Sequence, residues 1–234
     1  MTIPAAMVNP SMPASGSLAA RLRSETKLLH SEVERAGMMP RMLSGRLDRL
    51  TYCHLLRNFH AIYQALEAAL NRHRGLAPVA AVWFAGLARM PALERDLLDL
   101  YGDRWLQELP VAEAGERYVR RLAELDQRDP LLLVAHAYVR YLGDLSGGQI
   151  LRKIVVGALN PAAPDSATGA RFYLFPAPGA VALAQQFRAG LGAIVVDGDE
   201  ASRIVAEAQS AFRLHGELFE QLAEANLAGN HTLG

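Results

Sequence analysis

Apolar side chains recur at intervals of three and four residues along most of this chain, a spacing that places them on one face of an α-helix. The pattern predicts helices over residues 18–36, 50–74, 79–88, 92–101, 111–126, 130–156, 180–195 and 200–228. The strict alternation of apolar and polar residues that is typical of half-buried β-strands is not found in the sequence. We therefore predict an all-α fold, a single domain of about eight packed helices.

The two ends of the chain lack this periodicity. Residues 1–17, MTIPAAMVNPSMPASGS, contain three prolines but neither the basic start nor the continuous apolar segment of a signal peptide. They predict a flexible tail. We expect residues 18–228 to form the domain and residues 229–234 to form a short C-terminal tail. Residues 160–178, rich in proline and small residues, are expected to form a loop within the domain.

The predicted helix over residues 130–156 contains glycines in its middle. Gly143, Gly147 and Gly148 each cost about 1 kcal/mol relative to alanine, so the helix accepts roughly 2–3 kcal/mol of destabilisation there. Gly143 and Gly147 are four residues apart and share a face, on which the backbone itself can be approached. A close crossing of two helices would explain this stripe, and so would a flat ligand lying on the backbone.

Polar residues form a second stripe on the predicted helix over residues 18–36. Arg23, Lys27, His30 and Glu34 follow one another at spacings of four, three and four, so they lie along one helix face. At a rise of 1.5 Å per residue, the two cations lie roughly 4.5 and 10 Å from the histidine along the axis. Such a face is either a solvated surface or a site for a dianionic ligand centred on His30.

The composition excludes several classes of function. Twenty-four basic and twenty-four acidic residues leave no net charge, which argues against a general nucleic-acid binder. Cys53 is the only cysteine, so it can form no internal disulfide, and it fits a reducing compartment such as the cytoplasm. No apolar run approaches the roughly 20 residues that a membrane-spanning helix needs. We expect a soluble cytoplasmic protein.

Longer strings of residues resemble a known family. Residues 136–154, HAYVRYLGDLSGGQILRKI, closely resemble the signature of the haem oxygenases, in which a glycine-rich distal helix bends over the haem. Residues 22–34, LRSETKLLHSEVE, resemble the proximal helix of that family, and the strings FRAGLGAI and AQSAFRLHGELFEQL resemble its last two helices. The resemblance extends from Leu18 to Leu227. It implies that haem lies between a proximal helix and a kinked distal helix.

The resemblance also implies roles for individual residues around the haem. His30 would be the axial ligand of the iron, and Glu34 could reach the other imidazole nitrogen directly or through water. The haem propionates would meet Arg23, Lys27, Tyr138 and Arg188. The apolar pocket contacts would be Met39, Phe212 and Phe219, although packing in the core is the plainer interpretation of all three. Ala184 lies where some relatives carry a propionate-binding lysine.

On the distal side, the resemblance assigns catalysis to Asp144, Arg140, Gly143 and Gly147, and Gly148 is a further haem contact. The glycines would let haem-bound oxygen approach the backbone. Asp144 would anchor an ordered water, and Arg140, one helical turn away, would orient or neutralise its carboxylate. A salt bridge on the helix surface is the alternative for this pair. His60 aligns where many relatives have a distal tyrosine.

The reaction that the resemblance implies is oxidative cleavage of haem to biliverdin, with release of iron and carbon monoxide. It uses O2 and electrons from an external donor, a ferredoxin or a flavin reductase, and we expect the α isomer of biliverdin, which could pass to a bilin-binding protein. Arg117, Arg120 and Arg121 form either a solvated helix face or a docking site for an acidic donor. A non-catalytic haem carrier, or a related helical enzyme acting on another heterocycle such as thiamin, remains an alternative.

Overall fold

The computed structural model describes residues 16–160, 162–163 and 166–230, so most of the N-terminal tail (1–15) and residues 231–234 lie outside the described part. The described residues form helices, turns and irregular segments with no β-strand, which confirms the all-α prediction. The α-helices are α1 (Leu18–Glu25), α2 (Lys27–Val33), α3 (Met39–Leu43), α4 (Arg49–Arg72), α5 (Ala77–Val82), α6 (Met90–Tyr101), α7 (Trp105–Glu108), α8 (Glu113–Arg128), α9 (Leu133–Ala137), α10 (Gly143–Leu159), α11 (Ala180–Ala193) and α12 (Gly198–Asn230). In the described part of the chain, no helix is both long enough and apolar enough to cross a membrane.

The predicted helix over residues 18–36 is divided in the structure. The hydroxyl of Thr26 donates a hydrogen bond to the carbonyl of Leu22 at 2.7 Å, and α1 ends where α2 begins. Threonine hydroxyls that bond back to the preceding turn compete with regular helix geometry, which explains the interruption here. Arg23 therefore lies on α1, whereas Lys27 and His30 lie on α2.

The predicted helix over residues 130–156 is also interrupted. It begins with a 3-10 turn, Pro130–Leu132, continues as α9, widens into a π-helical turn over Tyr138–Leu142, and resumes as α10. Single π-helical turns inside α-helices are rare in proteins overall, and they are found frequently at functional sites. The kink implied by the family resemblance thus falls directly before Gly143.

Helix α4 is the centre of the core. It packs against α6, α8, α9 and α12, and Tyr52, Leu56, Ile62 and Leu66 on it are inaccessible to solvent. Each of the three aliphatic side chains contributes about 1.5–3 kcal/mol by leaving water. Because α4 reaches α8, α9 and α12, its side chains can meet residues that lie far away in the sequence.

The connection between α2 and α3 is fixed to α12 through a glycine. Gly37 has a φ of +49°, and a Cβ atom there would overlap the carbonyl group of Phe219. The next amide, that of Met38, donates a hydrogen bond to the same carbonyl at 3.1 Å. Only glycine allows both this backbone conformation and this close approach. The contact holds the end of the proximal segment against α12.

The predicted loop over residues 160–178 is tied down by two buried charged residues. The carboxylate of Asp96 accepts hydrogen bonds from the amides of Arg171 and Phe172 at 3.0 and 2.8 Å. Arg89 donates to the carbonyls of Phe172 and Leu174 at 3.1 and 2.7 Å. These bonds hold the ring of Phe172 5.6 Å from that of Tyr63, at the base of the site described next.

Candidate functional site

His30 projects from α2 with a largely exposed ring. Its Nδ1 lies 3.7 Å from a carboxylate oxygen of Glu34, one turn further along, and its ring meets the edge of Phe212 with centroids 5.9 Å apart. A carboxylate at this distance from Nδ1 can orient the ring, directly or through a water. The other ring nitrogen, Nε2, is then the atom that can bind a metal ion.

Four further polar residues singled out by the resemblance lie on α1, α2, the π-helical turn and α11. Arg23 and Lys27 are exposed. The hydroxyl of Tyr138 lies 3.5 Å from that of Thr26, at the junction of α1 and α2. On α11, the guanidinium of Arg188 donates a hydrogen bond to the hydroxyl of Ser146 at 3.1 Å, so it lies against α10. Ala184, one turn before Arg188, is buried.

The three glycines of α10 differ in their surroundings. A Cβ atom added to Gly143 or Gly147 would meet no atom within 4 Å outside the helix, whereas one added to Gly148 would lie 3.3 Å from the ring of Tyr173. Gly143 and Gly147 therefore present a bare strip of backbone at the surface of α10. Packing against the loop explains Gly148.

Behind this strip, the carboxylate of Asp144 is buried and held by two donors. The hydroxyl of Tyr63 on α4 donates a hydrogen bond to it, and NH2 of Arg140 lies 3.4 Å from it. Nε of Arg140 also donates to the hydroxyl of Tyr63 at 3.1 Å. Arg140 and Asp144 are only 5% and 9% exposed, so their pair is not the surface salt bridge that was the alternative interpretation.

The guanidinium of Arg140 lies against two aromatic rings and a buried imidazole. Its central carbon lies 4.3 Å from the centroid of Phe59 and 4.9 Å from that of Tyr63. Its NH1 group donates a hydrogen bond to Nε2 of His215 on α12. The guanidinium therefore packs on two aromatic rings and has a hydrogen-bond acceptor near each of its three nitrogens, which fixes its orientation.

Comparisons with known proteins identify the family of this chain. A profile of the family described as "Heme oxygenase" matches residues 16–221. The chain belongs to the haem oxygenase family. "Heme oxygenase 1" of Nostoc sp. is 37% identical over 214 residues, which cover 91% of this chain and 88% of that protein. "Heme oxygenase 1" of Homo sapiens is 39% identical over 209 residues, 88% of this chain and 72% of the human protein.

Solved structures show the same fold. The crystal structure of heme oxygenase-1 from Synechocystis sp. PCC6803, in complex with heme, matches with a TM-score of 0.84 at 35% identity and covers 93% of this chain and 96% of that one. Heme oxygenase from Leptospira interrogans matches with a TM-score of 0.82 at 34% identity, over 87% and 98% of the two chains. This protein is accordingly a haem-degrading oxygenase, with haem as substrate and cofactor.

Burial shapes the protonation of the distal residues in this haem oxygenase. Burial raises the pKa of Asp144 above its ordinary value of 3.8, while the neighbouring Arg140 and the Tyr63 hydroxyl oppose that shift. Burial also raises the pKa of Tyr63 well above 10.0, so this hydroxyl remains a proton-bearing donor. Burial of Asp144 thus favours its protonated form, whereas Arg140 and Tyr63 favour the ionised form.

A second buried cluster in this haem oxygenase joins α8, α9 and α12. Nε2 of His136 donates to the carboxylate of Glu207 at 2.9 Å, and Nδ1 lies 3.1 Å from the hydroxyl of Tyr118. Arg121 donates to the same carboxylate at 2.6 Å. His136 and Arg121 lower the pKa of Glu207 to about 2 even though burial acts to raise it. His136 is thus a structural residue in the interior.

Two side chains bonded to Arg140 were not singled out by the sequence analysis, Tyr63 and His215. Tyr63, not His60, reaches Asp144; the ring of His60 packs on Trp105, 4.8 Å away, and its Nε2 lies 3.6 Å from Glu94. Tyr63 belongs to the apolar stripe of α4, and periodicity alone cannot separate a hydroxyl with a distant partner from a core ring. His215 was equally hidden between Phe212 and Phe219.

The apolar contacts expected at the haem edge lie in the interior. Met39, Phe212 and Phe219 are 8%, 7% and 5% exposed, so they pack in the core and keep only an edge at the surface. Phe212 is in addition the ring that meets His30. Phe212 therefore packs in the core and also contacts the exposed ring of His30.

Proposed function

We propose that this haem oxygenase binds haem between α2 and the bare strip of α10, with Nε2 of His30 as the protein ligand of the iron. The support is the donor set: an exposed imidazole whose other nitrogen faces Glu34, with Phe212 against its edge. Gly143 and Gly147 fit a flat ring opposite, since their backbone carries nothing that a macrocycle would strike. Met39 and Phe219 complete the apolar edge.

We further propose that four residues hold the two propionates. Arg23 and Lys27 are exposed cations on the proximal side, two turns and one turn before His30, respectively. Tyr138 reaches the same junction from the distal side, where its hydroxyl lies near that of Thr26. Arg188 approaches from α11, and with Ala184 buried it is without a second cation one turn earlier. Hydrogen bonds from these side chains to the anionic propionates would fix the orientation of the haem in its plane.

On the distal side, Asp144 is proposed as the residue that positions an ordered water and passes protons to the bare strip of α10. Bound haem supplies the iron at which O2 is activated and the ring that is cut. The single observation that carries this proposal is the buried set of Tyr63, Arg140 and Asp144 directly behind Gly143 and Gly147. A haem carrier would use His30 but would not need a buried carboxylate there.

Further details of the reaction are proposed on the strength of the family. The product is the α isomer of biliverdin, the electrons come from a ferredoxin or a flavin reductase, and biliverdin passes to a bilin-binding protein in the cytoplasm. The arginines of α8 are poor candidates for docking the donor, because each is already paired with carboxylates: Arg117 with Glu113 and Glu217, Arg120 with Glu116, and Arg121 with Glu124 and Glu207.

The test is turnover of the purified protein loaded with haem. We expect one haem to bind per chain, and ascorbate in air to remove the Soret absorption while a bilin spectrum grows. Asp144→Ala should bind haem but form little biliverdin. A haem complex that stays intact under reductant and air would indicate a carrier. A chain that binds no haem would indicate an enzyme for another heterocycle.

A further inference from the structure

One face of α12 contacts both the proximal and the distal residues. Phe212, His215 and Phe219 follow at spacings of three and four, so they share that face. Phe212 meets the ring of His30, and the carbonyl of Phe219 holds the amide of Met38. His215, between them, is the polar member of the three, and it bonds to Arg140 in the π-helical turn.

The imidazole of His215 is surrounded by rings and by one permanent cation. It is 5% exposed, and its ring centroid lies 4.9 Å from that of Phe219, 5.7 Å from that of Phe59 and 5.9 Å from that of Tyr118. The charged or titratable groups around it are Arg140 from the π-helical turn, Tyr118 from α8, His136 from α9, and, beyond Arg140, Tyr63 from α4 and Asp144 from α10.

The protonation state of His215 follows from its partner. A guanidinium has only donors, so the contact with NH1 of Arg140 requires an unprotonated Nε2, and the single proton of the neutral ring must lie on Nδ1. The surroundings favour the same state. Burial, then Arg140 and His136, lower the pKa of His215 well below its ordinary value of 6.5.

We propose that His215 is a positioning residue for haem cleavage, one that as a neutral imidazole accepts a hydrogen bond from NH1 of Arg140 and so fixes the guanidinium. In that orientation Nε of Arg140 donates to Tyr63 and NH2 faces Asp144. Without an acceptor for NH1, a buried donor is left unpaired, which favours rotation of the guanidinium toward another acceptor. Arg140 would then no longer hold Asp144 in a fixed position. The effect on the reaction rests on the proposed function; the hydrogen bond does not.

The hydrogen bond can be tested in the protein without haem. Histidine labelled with ¹⁵N, followed by two-bond ¹H–¹⁵N correlation between pH 5.5 and 8, reports the tautomer and charge of each imidazole. The His215 signals, assigned by their loss in His215→Asn, should show a neutral ring with the proton on Nδ1 across this range. An imidazolium at neutral pH, or a proton on Nε2, overturns the proposal whatever the enzyme does.

The positioning role is tested by comparing two replacements in the haem complex. His215→Asn keeps an acceptor, the amide oxygen, whereas His215→Leu fills similar space without one. We expect haem affinity to be similar in both, but bilin formation to be slower by about tenfold or more in His215→Leu than in His215→Asn. Equal rates in the two variants overturn the proposal.

A matched control separates positioning from loss of a buried histidine. His60→Leu removes an equally buried imidazole that packs on Trp105, away from Asp144. It should lower the melting temperature without slowing bilin formation, whereas His215→Leu should slow it. A similar slowing in both variants shows a general structural effect and overturns the proposal. If the wild type makes no bilin, the proposed function fails, and the tautomer measurement still decides the state of His215.

Discussion

The hydroxyl of Tyr63, in the middle of α4, donates a hydrogen bond to the carboxylate of Asp144, in the first turn of α10. The two residues are 81 positions apart, and both are buried. A carboxylate held by a donor from another helix and by Arg140 from its own cannot swing toward solvent. The bond therefore fixes the carboxylate of Asp144 and joins α4 to α10.

Removing this hydroxyl should affect stability and activity together. Tyr63→Phe leaves a buried carboxylate oxygen without its donor, so we expect the free energy of unfolding to fall by about 1–3 kcal/mol. Bilin formation should slow while haem affinity is retained. Tyr101→Phe is the control, since that hydroxyl bonds to Glu108 at the surface, at 3.2 Å. Denaturant titration and single-turnover bilin formation measure the two effects; equal stability losses in both variants would count against a buried bond.

The difference between Gly147 and Gly148 predicts unequal effects of alanine at the two positions. Gly147→Ala meets no atom within 4 Å, so in the haem-free protein it should raise the free energy of unfolding by up to about 1 kcal/mol through helix propensity. The same methyl group would face the haem and should slow bilin formation. Gly148→Ala presses on Tyr173 and should gain less stability. A Gly147→Ala variant with full activity would show that the ring does not lie on this strip.

His30→Ala should remove the iron ligand without disturbing the fold. The ring is 54% exposed, so the free energy of unfolding should change by less than about 0.5 kcal/mol. The haem complex should lose its imidazole-type absorption spectrum. Glu34→Gln is the matched control, since it keeps the ligand and changes only the group that faces Nδ1. An unchanged spectrum in His30→Ala would move the ligand to another residue.

The sequence predicted α4, α6, α8, α11 and α12 to within two residues at each end, because each of these helices buries a continuous apolar face that shows in the local spacing. It did not predict the short helices α3 and α7, and the helix expected over residues 79–88 ends at Val82. It could not predict the π-helical turn over Tyr138–Leu142, since no residue there forbids an ordinary α-helix. The interruption at Thr26 could not be predicted either, because it depends on whether the hydroxyl donates a hydrogen bond to the carbonyl of Leu22.

For the site, the sequence supplied the residues that belong to recognisable strings, such as His30 and Asp144. Tyr63, which bonds to Asp144, and His215, which bonds to Arg140, lie on other helices. Each stands within an apolar stripe, and the spacing of the stripe does not show that its polar atom has a distant partner. The roles assigned to the haem contacts remain predictions, which the variants described here test.

A buried carboxyl away from the haem site predicts a pH dependence of stability. Burial raises the pKa of Glu67 from 4.5 to about 7, although it accepts the amide of Arg89 at 2.6 Å. Since the folded-state pKa is the higher one, stability falls as pH rises from about 4.5 to 7 and then stays low. Glu67→Gln keeps the acceptor and removes the titration. It should gain about 1–3 kcal/mol more at pH 8 than at pH 5.

Denaturant titrations at the two pH values measure this difference. Glu116→Gln, an exposed glutamate on α8, is the control and should change stability by less than about 0.5 kcal/mol at either pH. A gain for Glu67→Gln that is independent of pH would show that the carboxyl is ionised in the folded protein to the same degree as in the unfolded chain.

The isomer of biliverdin should depend on Arg188. The meso carbon that is attacked is set by how the haem is turned in its plane, and Arg188 alone among the proposed propionate contacts comes from α11, where its guanidinium is held by Ser146. An arginine can make two parallel hydrogen bonds to a carboxylate, which resists turning better than a lysine does. We expect the α isomer from the wild type and mixed isomers from Arg188→Ala, because two seatings within about 1 kcal/mol are both populated. Arg188→Lys keeps the charge without the fork and should give an intermediate mixture by chromatography, whereas a pure α product from Arg188→Ala would assign the seating to Arg23, Lys27 and Tyr138.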